Sequence, residues 1–220
     1  MVEIPAQLFA GLAPEKIEII RAAAHLLEYP ADSTIYTQGD PADGLYCLCE
    51  GVVKEISLDA EERLRWVRLL GPGQLLGSGE SLCSTPQMQT AIALRQSRLL
   101  WLSQEEFRNI GMEHADLLLW VATHMARQLC HLRSALVQRA YTESAVRLTE
   151  ALQNVAEAFG TVTERGRLVD LDLSRDEWAA LVGIAPETVS RVLHQLAERG
   201  VIELHGRRIL LLDSARSLYP

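Results

Sequence analysis

The sequence predicts an α+β chain of three parts: a β jelly roll, one long helix, and a C-terminal helix-turn-helix with a small β wing. Three observations carry this. Short apolar or alternating runs punctuated by Gly, Asp and Pro fill residues 27–102, and apolar residues recur at steps of three and four across 113–139. The third is the punctuation of 174–213, SRDEWAALVGIAPETVSRVLHQLAERGVIELHGRRILLLD. On this reading the domains are 1–112, a jelly roll with N-terminal helices; 113–140, a dimerisation helix; and 141–220, a winged helix-turn-helix.

In the first part the candidate strands are 33–36, 44–50, 52–58, 64–70, 89–93 and 97–102, with Gly39, Gly44, Gly51, Gly71, Gly73 and Gly77 marking turns. The same barrel serves cupin enzymes, which hold a metal through imidazole and carboxylate ligands converging inside it. All six histidines, at 25, 114, 124, 131, 194 and 205, fall outside 27–102. No Gly-rich Walker loop or nucleophile elbow is present either, so an enzyme is not expected and no metal site is assigned.

Across 113–139, Leu118, Val121, Met125, Leu129, Leu132 and Leu136 form a coiled-coil seam. A stripe of this kind either pairs two subunits or packs on its own barrel. Residues 141–160 read as a further helix, with a hinge near 140–143.

In the last part Ser174 and Glu177 form a capping box, which starts a helix carrying Trp178, Leu181 and Val182. Gly183 stops it. Pro186 suits the first position of a second helix because it has no N–H to leave unsatisfied. Val189, Val192, Leu193 and Leu196 give that helix one apolar face and leave Glu187, Thr188, Ser190, Arg191 and His194 to face outward. Gly200 ends it, and 201–204 with 207–212 read as two strands joined around His205-Gly206. An ordinary helical pair explains a lone Glu/Arg spacing but not this ordered set. Chemically, Arg191 can donate two bonds to guanine, Glu187 can accept from exocyclic amino groups, and Ser190 can touch a thymine edge.

Composition bounds the rest. At 220 residues and 48% hydrophobic, the chain can bury two modest cores. No apolar run is long enough to span a membrane, and the N-terminal stretch lacks a basic leader, so a cytoplasmic location is expected. The net charge of −8 argues against nucleic acid until its distribution is considered. From residue 165 onward eight arginines balance eight acids, so the excess negative charge all lies upstream. Non-specific DNA affinity should therefore be modest and salt-sensitive.

The C-terminal segment resembles the DNA-binding domain of the CRP/FNR family of bacterial transcription regulators, and Glu187, Ser190 and Arg191 match the E-x-x-S-R pattern of its FNR branch. The catabolite activator branch has a further Arg where this chain has Pro186. The resemblance implies an inverted repeat of half-sites near TTGAT, with Ser174, Arg175, Thr188 and Arg207 at positions that hold the phosphate backbone. The run QGDPADGLYCLCEGVVKE and the following GPGQLLG resemble the family's cyclic-nucleotide-binding-like jelly roll. MARQL on the long helix resembles the helix through which two subunits pair. Double-stranded DNA and a second copy of the chain are the implied partners, with RNA polymerase a further candidate.

Cyclic-nucleotide binders of the family carry a Glu for the ribose and an Arg-Ser pair for the phosphate. Here Ser78 stands at the Glu position, Gln89-Thr90 stands near the Arg-Ser pair, and Glu80 is displaced by two. No Arg lies between Arg68 and Arg95, and the polar pair that meets the base is replaced by Leu132-Arg133. Cyclic AMP bound in the usual manner is not expected, although Arg133 could reach another anion. The iron–sulfur branch needs cysteines ahead of the barrel, and none precedes Cys47. Cys47 and Cys49 alternate onto one face of a strand, Cys83 follows in the loop, and Cys130 lies on the long helix. Simple packing is the leading reading of these thiols, with a thiol or metal switch as the alternative. For haem, His114, His124 and His131 are the axial candidates, with His25 weaker, but helix histidines of this kind more often serve packing or surface.

The expectation is thus a homodimeric, sequence-specific DNA-binding transcription regulator controlled by an unidentified effector or redox signal. The alternative is a ligand-binding or protein-interaction module that has lost specific DNA reading.

Overall fold

A computed structural model of the chain describes residues 11–141 and 143–213, together with all side chains in those spans except 131, 135 and 138–141. Two compact units make up the protein, residues 1–57 with 69–134 and residues 58–68 with 135–220. Among the described residues no helix is long and apolar enough to cross a membrane.

The first part opens with helix α1 (Pro14–Ala23), which has its proline in the first turn. Strands β1 (His25–Tyr29), β2 (Thr34–Tyr36), β3 (Gly44–Glu50), β4 (Val53–Leu58), β5 (Leu64–Leu70) and β6 (Leu75–Leu76) follow. A short helix α2 (Ser78–Cys83) then leads to β7 (Thr90–Ala93) and β8 (Ser97–Ser103), and helices α3 (Gln104–Glu113) and α4 (Ala115–Tyr141) complete this part. The strands form two antiparallel four-stranded sheets, in the orders β1-β8-β3-β6 and β2-β7-β4-β5.

The first of these sheets is buried on both faces. Tyr46 and Leu48 of β3 and Leu99 of β8 pack between the sheets against Tyr36, Val53, Leu70, Leu76 and Ala91. The alternate residues Leu45, Cys47, Cys49, Leu100 and Leu102 face outward onto Phe107 of α3 and onto Trp120 and Val121 of α4. Partly buried Ile17 and Ile20 of α1 pack on the same cluster. Burial of both faces explains why β3 reads as a nearly unbroken apolar run rather than an alternating one.

Strands 44–50 and 64–70 were expected with these bounds and α1 answers to an expected N-terminal helix, while β1, α2, α3 and β6 were not expected. The histidine count needs a correction as a result. His25 opens β1 and so belongs to the barrel, exposed at the strand's end with its ring 5.7 Å from that of Trp101. The long helix also starts later than expected, because His114 breaks the helix between α3 and α4 (φ −133, ψ 81). Lys16 Nζ lies 2.8 Å from His114 Nδ1 and 3.6 Å from Asp116 Oδ1, which ties α1 to this corner.

The second part begins with helix α5 (Ser144–Phe159), which buries Leu148, Leu152, Val155 and Ala156 along one face. The expected hinge at 140–143 falls partly outside the described residues. Strands β9 (Thr161–Thr163) and β10 (Gly166–Val169) precede the helices α6 (Arg175–Val182) and α7 (Pro186–Glu198), and β11 (Ile202–His205) and β12 (Arg208–Leu212) follow them. The wing is therefore not an isolated hairpin. It is half of an antiparallel sheet ordered β11-β12-β10-β9, in which Leu168 pairs Leu210 and Leu204 pairs Ile209.

Leu48, fully buried between the sheets, gives a direct test of this packing. Leu48→Ala should cost about 2–5 kcal/mol in urea unfolding, because it leaves a cavity with rigid walls on two sheets. A loss below about 1 kcal/mol would contradict that placement.

Candidate nucleic-acid interface and sensing barrel

The helix-turn-helix is built from caps. Glu177 N–H donates to Ser174 Oγ at 3.1 Å and Ser174 N–H donates to Glu177 Oε2 at 2.7 Å, so each end of the capping box satisfies the other. α6 ends at Gly183, whose left-handed conformation (φ 74) lets its N–H reach the Ala179 carbonyl at 2.7 Å. Ile184 and Ala185 then lead to Pro186 at the start of α7, as the spacing predicts. α7 buries Val189, Val192, Leu193 and Leu196.

The opposite face carries Glu187, Ser190 and Arg191, all exposed within the first two turns. Neither Glu187 nor Arg191 has an ion-pair partner among the described residues, although they stand four apart. The candidate phosphate residues have more varied surroundings. Ser174 uses its hydroxyl as a cap acceptor, and Thr188 is half-buried with its N–H bonded to the Ala185 carbonyl at 3.0 Å. Burial lowers the pKa of the half-buried Arg175 guanidinium from its usual value. Arg207 is exposed, with Nη1 3.4 Å from Asp172 Oδ2.

Sequence reasoning missed the acids that accompany the wing cations. Arg208 Nε lies 3.0 Å from Asp170 Oδ1, Arg165 pairs with Glu203, and His205 Nε2 is 3.4 Å from a Glu203 oxygen. The Arg165 hydrogen bond is the first cause holding Glu203 below the usual carboxylate range. The two arginine pairs are tertiary and leave no local spacing to read.

In the barrel, the Tyr36 hydroxyl donates to buried Glu55 at 2.7 Å. Ser78 is buried at the start of α2 rather than in the loop expected there. Thr90 accepts the Gln38 N–H at 2.9 Å. Gln87, not singled out from the sequence, is buried beside Gly77, and its Oε1 has no hydrogen-bond partner among the described residues.

Cys47 and Cys49 share a face, and it is the one turned toward the helices. Burial pushes both thiols up, away from the reactive thiolate form. Cys47 borders a cavity of about 30 Å³ whose walls, among them Ile20, Leu45, Leu102, Phe107 and Val121, are apolar. Cys83 closes α2 and Cys130 lies on α4, both exposed. Among the described residues no three of His, Cys, Asp and Glu converge as a metal-binding set.

On α4, Val121 and Met125 are corrections to the expected seam, because both pack on the chain's own barrel cluster with Trp120. Leu129, Leu132 and Leu136 are 49%, 48% and 63% exposed in the single chain. Arg133 is exposed beside them. Of the haem candidates, His114 is held by Lys16, and His124 lies 4.2 Å from the Trp120 ring with its pKa lowered by burial and Arg127. The His131 side chain lies outside the described residues.

Comparison with known proteins matches two family models in tandem. Residues 26–114 match the cyclic nucleotide-binding domain, and residues 123–216 match the Crp-like helix-turn-helix domain. The chain is 31% identical over 213 residues to the cyclic AMP receptor protein of Thermus thermophilus, covering 94% of this chain and 93% of that one. It is 26% identical over 211 residues to a CRP-like cAMP-activated global transcriptional regulator of Mycobacterium tuberculosis, covering 96% and 94%. Among solved structures, a CRP/FNR family transcriptional regulator from Thermus thermophilus superimposes with a TM-score of 0.74 at 26% identity, over 88% of this chain and 96% of that one.

The thiol environments give a prediction. Cys83 should react with a thiol reagent in the native protein while Cys47 and Cys49 stay silent until unfolding. The fold raises the pKa of both buried thiols above that of the unfolded chain, so only the unfolded state ionises at first. Stability should then fall as pH rises past about 8.5, which urea unfolding at a series of pH values can check.

Proposed function

Because the chain belongs to the CRP/FNR family of transcription regulators, we propose that it works as a homodimer on inverted-repeat DNA. It is a DNA-binding transcription regulator and not an enzyme. The two subunits pair through the exposed stripe of α4, and the two copies of α7 enter successive major grooves about one turn apart.

The observation that carries this reading is a contrast in charge pairing. Arg165, Arg207 and Arg208 in the wing sheet each sit against an acid, whereas Glu187 and Arg191 on α7 are left unpaired and exposed. Groups that read base edges must be available to do so. Arg191 reads guanine, Glu187 accepts from exocyclic amino groups and Ser190 touches a thymine edge, on half-sites near TTGAT. Ser174, Arg175, Thr188 and Arg207 hold the phosphates and fix the register.

Control is a population shift, in which the sensing barrel and α4 bias the angle between the two recognition helices and only one setting fits the half-site spacing. The names of the relatives point to cyclic AMP. In this chain Ser78 and Gln89-Thr90 replace the ribose and phosphate contacts of that branch, and the Thr90 hydroxyl already serves the Gln38 N–H. These residues do not fit cyclic AMP bound in that manner, and we assign it no step. The apolar setting of Cys47 and Cys49 supports packing rather than redox sensing. We assign the protein to the cytoplasm, where its DNA lies, with RNA polymerase as its partner at the promoter.

Titration of a palindromic TTGAT duplex against a scrambled one over a salt series tests the reading. A sequence-dependent affinity gap is expected; equal binding, or none, would favour a ligand-binding or protein-interaction module instead. Arg191→Ala should cost about 1–3 kcal/mol on the palindrome and relax preference at one base pair, while Arg175→Ala should weaken both duplexes alike. Leu132→Glu should give a monomer in sedimentation and lose the palindrome preference. A dimer that survives this substitution would remove α4 as the pairing surface.

A further inference from the structure

Beyond β10 the chain continues as Asp170-Leu171-Asp172-Leu173. Leu171 and Leu173 are buried, so the alternation turns both carboxylates outward. There they meet the start of β12, where Asp170 Oδ1 is 3.0 Å from Arg208 Nε and Asp172 Oδ2 is 3.4 Å from Arg207 Nη1. The same Arg207 nitrogen is 3.5 Å from the Asp172 carbonyl oxygen. Asp172 adopts a left-handed backbone (φ 49), a conformation uncommon for any residue with a Cβ. Two residues later come Ser174 and Arg175, so the carboxylates stand at the edge assigned above to phosphate contacts.

We propose that Asp172, with Asp170 beside it, is an intramolecular competitor for the DNA phosphate, holding Arg207 in the free protein and giving it up when the domain docks. This rests on the DNA-reading function proposed above. Both partners are well exposed, Arg207 at 59% and Asp172 at 77%, so water already screens the pair. A phosphate backbone with its condensed counterions can displace such a carboxylate, on any sequence alike. The competitor therefore lowers affinity by a small, fixed factor and helps to keep the domain from settling on any duplex it meets. In a segment whose eight arginines are matched by eight acids, the arrangement of the acids matters more than their number.

The test is a double-mutant cycle on the full-length protein, with wild type, Asp172→Asn, Arg207→Ala and the double variant titrated on palindromic and scrambled duplexes over a salt series. Asn keeps the shape of Asp and tolerates the left-handed backbone. Asp172→Asn should tighten binding to both duplexes about two- to fivefold. It should also steepen the salt dependence by up to about one in log–log slope. In the Arg207→Ala background most of that gain should vanish. Asp172→Gly, which also relieves the backbone, should reproduce the gain on DNA; greater thermal stability with unchanged DNA affinity would overturn the proposal. So would an equal gain with and without Arg207, since the lost charge would then act through the general field. A wild type that discriminates the palindrome while Asp172→Asn changes nothing sinks this inference alone. A wild type with no discrimination removes the reading beneath it and the inference with it.

Discussion

The rest of the sensing unit depends on the sheet β1-β8-β3-β6 being buried on both faces. A strand with period two can serve two cores at once only if each set of alternate side chains finds its own partners. β3 meets that condition, since Tyr46 and Leu48 close the barrel while Leu45, Cys47 and Cys49 bind the helices to its outside. A one-residue slip would exchange the two sets, so the register is specified from both sides. The same packing fixes the root of α4 through Trp120 and Val121. A change in the barrel therefore reaches the long helix by direct contact.

α4 is held at one end and bare along the other. Leu117, Trp120 and Val121 belong to the core, Leu118 and Leu119 are exposed beside them, and Leu129, Leu132 and Leu136 are exposed farther along. Along the helix the packed positions Trp120, Val121 and Met125 give way to the exposed Leu129, Leu132 and Leu136.

Much of the C-terminal architecture was legible in the sequence because caps and breakers are local. Ser174 with Glu177, Gly183 and Pro186 each act within a turn of helix, and α7's apolar face follows from a single period. The same logic was available for α3, since Ser103 and Glu106 form a second capping box, with the Glu106 N–H bonded to Ser103 Oγ at 3.1 Å. That signal went unread because the strand before it runs directly into the helix. β9 and β10 form a short hairpin that is joined to the wing only through β10 and β12, so its place in the sheet is not contained in its own window of sequence. For the cysteines, alternation gave the shared face of Cys47 and Cys49 but could not say which side of the sheet it was. The side depends on α1, α3 and α4, and it is what separates a thiol near an effector from one in a dry core. The exposed polar face of α7 was legible, and the acids beside the wing cations were not, because Asp170 and Asp172 meet Arg208 and Arg207 across 35 or more residues.

The division between paired and unpaired charges follows from what each kind of contact must do. A cation that holds a phosphate meets a partner of high charge density and loose geometry, so a prior carboxylate lowers its affinity without spoiling the contact. A side chain that reads a base edge must reach a fixed donor and acceptor pattern with both of its hydrogen bonds aligned, and discrimination between bases amounts to about 1–3 kcal/mol per bidentate pair. An ion pair at that position would subtract from the discrimination itself, because it must break to let the side chain bond the right base but can persist over a wrong one. On that account a segment whose eight arginines are balanced by eight acids can still select sequence, provided the acids that pair with its arginines lie along the backbone-facing edge and leave Arg191 unpaired.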